Sequence, residues 1–131
     1  REPKMSLPAR QLAQDLRRAG FTNGTVFADR QSFDLAGNLR VYFPAARMVG
    51  AADQSFVSAP AVAAGQCLVL WNVVKKRDRR AQMLERLAAF AGTAVDPALP
   101  TTTLRLPLDW APSHIVEVAY ALFPDGLGNC R

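Results

Sequence analysis

The chain has 131 residues, the size of one domain built on one cooperative core. Half of the residues are apolar, too many for a disordered polymer, yet no apolar run reaches the roughly 18–20 residues that span a bilayer. Sixteen Lys and Arg against eleven Asp and Glu leave a net charge of +5, which suits an anionic partner without specifying one.

The first residues, Arg1 to Lys4, are polar and no signal-peptide hydrophobic region follows them. The chain opens on Arg rather than Met, so the expectation is a piece of a longer protein. Ser6 before Leu7-Pro8 predicts a helix opening, since Ser caps and Pro is tolerated in a first turn. Ala9, Leu12, Ala13 and Leu16 recur at helical spacing and Gly20 supplies the stop. Thr25 to Ala28 is a short apolar run between Asn23-Gly24 and Asp29, the pattern of a buried, central parallel strand. A second helix is expected from Phe33 to Phe43, ended by Pro44 and weakened by Gly37. Ala46 to Val49 reads as another short strand, and Gly50 to Gly65, rich in Ala, Ser and Pro, as a connecting loop.

Gln66 to Asn72 is a strongly apolar strand, and after a basic run comes the best helix of the chain, Asp78 to Ala91. Its Met83, Leu84, Leu87, Ala88 and Ala91 form one stripe, with Gly92 just past the end. The last third changes character. Thr101 to Leu108 alternates, Ile115 to Phe123 is β-branched and aromatic, and Asp109 to Ser113 is suited to turn between them. Strands alternating with helices place the chain in the α/β class: a largely parallel sheet with helices on its faces and a C-terminal antiparallel hairpin at one edge. One domain over residues 1–131 is expected, with no internal repeat.

Five cations, Lys75, Lys76, Arg77, Arg79 and Arg80, fall within six residues. Such a run is either a solvated loop and helix start or a contact with a membrane surface or another anionic ligand. Nucleic acid is not expected, because no aromatics interleave with the cations and no recognisable binding motif surrounds them. Cys67 and Cys130 match no metal-ligand spacing. A disulfide between them would hold down a Gly-rich tail and imply an oxidising compartment; two buried thiols are the competing arrangement.

Catalytic chemistry is harder to find. No Gly-rich phosphate loop opens a helix, and no cofactor is expected. His114, the one histidine, falls in the hairpin turn with no Ser or Cys nucleophile in a recognisable setting, so a solvated turn residue is expected. Asp29, Asp34 and Asp109 lie near strand ends or in loops, where open α/β sheets bind their ligands. Asp29, just after the first buried strand, is the best candidate for a polar site, against the plainer role of capping the next helix. Trp71 and Trp110 fit core or hairpin packing better than a sugar-stacking platform.

Several segments form a pattern of their own: Gly24 to Asp29, Leu35 to Arg40, Phe43 to Val49, Gly65 to Trp71, and the tail Tyr120 to Pro124 with Gly126 to Arg131. Together they resemble the C-terminal soluble region of bacterial membrane glycosyltransferases of family 39, a group similar to the dolichyl-phosphate-mannose protein mannosyltransferases and the aminoarabinose transferases. The resemblance covers most of the chain from Leu12 onward. It implies a parent enzyme of the inner membrane that passes a sugar from a polyprenyl-phosphate donor to an acceptor outside the cytoplasm. The catalytic carboxylate of that family lies in an early loop between membrane helices, so the resemblance carries no catalytic residue onto this chain. The implied partners are the transmembrane portion of the same chain, and anionic headgroups or a lipid-linked sugar. The implied location is the periplasmic face of the inner membrane. A free-standing α/β module binding a small anionic ligand at the strand ends is the alternative.

Overall fold

A computed structural model describes residues 3–29, 38–51, 65–73, 79–107 and 113–131, with the side chains of residues 3–8 left out. Helix α1 spans Pro3–Ala19, followed by β1 (Gly24–Ala28), a 3-10 turn (Leu39–Val41), β2 (Arg47–Gly50) and β3 (Gln66–Asn72). Helix α2 (Arg80–Ala91), β4 (Thr102–Pro107) and β5 (Ile115–Phe123) complete the order. The five strands form one sheet in the order β2-β1-β3-β5-β4. β1 runs parallel to both β2 and β3, while β5 pairs antiparallel with β3 and with β4. The mixed α/β architecture with its C-terminal antiparallel hairpin is therefore the one expected, the hairpin joining the sheet through β3.

Strand alternation sorts the side chains into two cores. Val26, Ala28, Met48, Leu68, Leu70, Val118 and Tyr120 face α1 and pack with Leu12, Ala13 and Leu16. Phe27, Val49, Val69, Trp71, Ala119 and Ala121 face α2 and pack with Met83, Leu87 and Ala91. Each fully buried Leu or Phe contributes about 1.5–3 kcal/mol relative to an exposed one, so the two helices are held chiefly by these stripes. Trp71 belongs to the second core, as its packing role required.

Several element boundaries differ from the sequence reading, each for a local reason. α1 begins at Pro3, so Ser6 lies inside the helix instead of capping it; Pro suits a first turn, where its missing N–H costs nothing. Of the helix expected over residues 33–43, residues 33–37 lie outside the described part. The remainder closes as the 3-10 turn, with the Tyr42 and Phe43 N–H groups both donating to the Leu39 carbonyl. Phe43 precedes Pro44, whose ring disfavours helical backbone at the residue before it. α2 starts at Arg80, with Arg79 at the capping position and no side-chain cap. Residue 78, the loop residues 52–64 and the turn residues 108–112 lie outside the described part.

Gly24 explains how β1 enters the sheet. It has φ +138°, and a Cβ built there would overlap the Gln66 backbone of β3. Gln66 in turn clamps the turn before β1. Its Oε1 accepts from the N–H groups of Thr22 (2.7 Å) and Asn23 (3.2 Å), and its Nε2 donates to the Gly20 carbonyl (2.8 Å).

The C-terminal tail is a tight turn. Leu127 and Cys130 exchange backbone hydrogen bonds, and the Asn129 N–H donates to Ala91 O at the end of α2 (2.9 Å). Cys130 is bonded to Cys67, with Cα atoms 5.2 Å apart and both residues fully buried in the second core. No helix among the described residues is long and apolar enough to cross a membrane.

Candidate functional site

The strand order creates a topological switch point, the kind of place where open α/β sheets bind ligands. From β1 the chain moves outward to β2, then returns across β1 to add β3 on its other side. The connections thus leave β1 in opposite directions, and the carboxyl ends of β1 and β3 flank the point where they diverge. Asp29 follows β1 at that point, and Asn72 ends β3 beside it.

Asp29 is buried, at 2 % exposure, on the side of the sheet that faces α2. The sheet ladder continues through it, because its N–H donates to Leu70 O (3.3 Å). Its Oδ2 accepts from the Asn72 N–H (3.4 Å) and pairs with the Arg79 guanidinium (3.3 Å). Arg79 stands at the start of α2, so this one carboxylate joins β1, β3 and α2. Among the described residues the buried Arg79 Nε has no hydrogen-bond partner. An unpaired buried donor costs about 1–3 kcal/mol, so the described residues leave this one donor of the pair unsatisfied. The arrangement offers an anion and a cation side by side for binding and orientation. It places no nucleophile beside a general base.

Arg80 turns the other way. Its guanidinium donates to the carbonyls of Pro97 (2.7 Å) and Leu99 (2.6 Å) and to Thr101 Oγ1 (3.1 Å), tying α2 to the segment that leads into β4. Two members of the basic run, Arg79 and Arg80, therefore reach protein partners, while Lys75, Lys76 and Arg77 lie outside the described residues. Asp34, Asp109 and Trp110 also lie outside them. His114 is exposed immediately before β5, as a turn residue would be. Beside Arg80 a groove of about 510 Å³ runs along α2, lined by Ala81, Leu84, Ala88 and Val95. Among the described residues no three His, Cys, Asp or Glu side chains are grouped to hold a metal.

One charged residue escaped the sequence reading entirely. Arg47 opens β2 and is buried at 7 % exposure, its guanidinium 5.0 Å above the ring of Phe90. Burial, and then the neighbouring Arg131 charge, hold its pKa below the usual arginine value. Alternation was the only available signal: Arg47 shares the inward side of β2 with Val49.

The fold is a mixed α/β architecture whose parallel strands end in a buried ion pair at the switch point. No known protein family, curated protein or solved structure matches the chain.

Proposed function

We propose that this chain is an extracytoplasmic accessory domain of a polytopic membrane glycosyltransferase, one that takes a sugar from a polyprenyl-phosphate donor. In this reading the domain helps position acceptor or lipid-linked donor above an active site built by the transmembrane part of the same chain. Together with the segment resemblance, the observation that carries the reading is the buried Cys67–Cys130 disulfide. Disulfides persist in oxidising compartments and are rare where glutathione and thioredoxin keep thiols reduced. The bond also fastens the tail, one of the segments on which the resemblance rests.

The test uses the full-length protein in its own cells. Thiols are blocked by alkylation at the moment of lysis, and protease is added to spheroplasts and to inverted membrane vesicles. The expected result is a membrane-bound protein with Cys67 and Cys130 both protected as a disulfide and this domain cut only in spheroplasts. Free thiols, or cleavage only in inverted vesicles, would overturn the reading.

The Asp29–Arg79 pair favours a second reading, a free-standing α/β module that binds a small anionic ligand at the strand ends. There a ligand oxygen would take the unpaired Arg79 Nε. That reading predicts a soluble full-length protein, so the same fractionation separates the two.

A further inference from the structure

Among the described residues two large apolar side chains are exposed, Val41 at 77 % and Ile115 at 41 %. They belong to opposite ends of the strand order. Val41 lies in the 3-10 turn that leads into β2, the strand at one edge, while Ile115 opens β5 opposite Pro107 of β4, the strand at the other. Single exposed apolar residues are common on protein surfaces, so the surroundings of each decide its meaning.

Ile115 shares a strand face with Glu117, whose charge is balanced by Arg105 at 3.9 Å. Val41 stands among apolar neighbours and cations that no carboxylate balances. Pro44 and Ala45, just after the turn, are exposed, and Tyr42 is half-buried against the first core. Arg40, next to Val41, is exposed. Arg17 of α1 joins them: its Nη2 donates to the Tyr42 carbonyl (2.9 Å), and its guanidinium lies 5.0 Å from the centre of the Phe43 ring. Neither contact neutralises its charge. Arg10, two turns earlier on the same helix face, is exposed as well. Among the described residues none of these three arginines pairs with a carboxylate, and Asp15, the acid of α1, is paired with Arg18.

We propose that this corner of the domain, with Val41 at its tip, is a contact surface for an anionic lipid bilayer. Val41 and Pro44 enter the headgroup region, Tyr42 sits at its level, and Arg10, Arg17 and Arg40 meet lipid phosphates around them. Charge favours lipid over a protein partner. Three cations around a small apolar tip suit a surface of many mobile anions, whereas so few apolar residues cannot form the dry core of a stable protein interface. The basic run is less suited, because its Arg79 and Arg80 are taken up by Asp29 and by the carbonyls before β4. The proposal rests on the membrane reading for its setting. In a domain tethered to a membrane a weak contact is enough to fix orientation, because the tether keeps the effective concentration high.

The experiment titrates the isotope-labelled chain with lipid nanodiscs carrying a doxyl-labelled lipid and follows the backbone amide signals. The discs hold phosphatidylcholine alone or mixed with phosphatidylglycerol. The expected result is binding to the anionic discs that fades with added salt, with the Val41 and Tyr42 signals attenuated about twofold or more beyond that of Ile115. Arg40→Gln should weaken binding about fivefold, and Val41→Asp about tenfold or more. Both positions are exposed, and the melting temperature checks that each variant keeps its fold. Absent binding, equal binding to both kinds of disc, attenuation centred elsewhere, or unchanged affinity in the two variants overturns the proposal. Concentration-dependent shifts at Val41 without lipid assign the corner to a second copy of the chain, and overturn it as well. A soluble full-length protein in the fractionation refutes the membrane reading, whereas a membrane-bound protein whose Val41 corner ignores anionic discs refutes this contact alone.

Discussion

The two halves of the sheet solve the problem of burial differently. In the parallel half, β1 is buried along its whole length and lies between two other strands with core on both faces. At the end of β1 the buried Asp29 finds its partner inside the protein, in Arg79. In the antiparallel half, β4 is an edge strand whose Thr102, Thr103 and Arg105 face solvent while Leu106 turns inward. Its ion pair, Arg105 with Glu117 at 3.9 Å, is largely exposed, with Arg105 at 71 %. Pairs of the same chemistry should therefore carry very different energies, because water screens one and not the other.

The largest effect should come from the covalent tie within the buried half. The Cys67–Cys130 bond closes a loop with a sequence separation of 63 residues. In the chain-entropy treatment, reducing it should lower unfolding free energy by about 4 kcal/mol. Urea unfolding with and without a reductant measures this. A loss below ~1 kcal/mol would mean that the tail's other contacts, among them the Asn129 N–H bond to Ala91 O, already hold it in place.

Asp29→Ala comes next, with an expected loss of about 3 kcal/mol, because it leaves the Arg79 guanidinium facing a buried space without its carboxylate. A double-mutant cycle with Arg79→Met isolates the coupling between the pair. Coupling no larger than that of Arg105 with Glu117 would erase the contrast between the two halves. Gly24→Ala should cost about 2 kcal/mol, since the added methyl meets the backbone of Gln66, its register partner in β3, at a φ of +138° that favours glycine. Thermal or chemical unfolding of this variant shows whether the close approach can relax. The smallest effect belongs to the hairpin: Arg105→Ala should change stability by less than about 0.5 kcal/mol, and even that should fade with added salt.

Legibility in the sequence followed the same division. β3 and β5 were readable to their observed ends, because a continuous apolar run and a β-branched, aromatic run are signals carried by neighbouring residues. The stripe on α2 was readable for the same reason. Asp29 was readable as a candidate from its place after a buried run, but its partner was not. Arg79 looked like one more member of a basic cluster, and its guanidinium reaches a carboxylate 50 positions away.

What the sequence determined alone was therefore local in origin: the class of fold, the five strands and their order along the chain, the two helix-ending glycines and the pair of cysteines available to bond. Periodicity, capping and turn chemistry act over a few residues, and each is written where it acts. The tertiary structure decided which charges face each other. It brought Gln66 onto the turn before β1, set the carbonyl of Arg131 against Thr25 at a separation of 106 positions, and laid the Arg47 guanidinium over the ring of Phe90. Electrostatic and hydrogen-bond partners are chosen by distance in space, and only the pairing of strands β2, β1 and β3 brings those distances within reach.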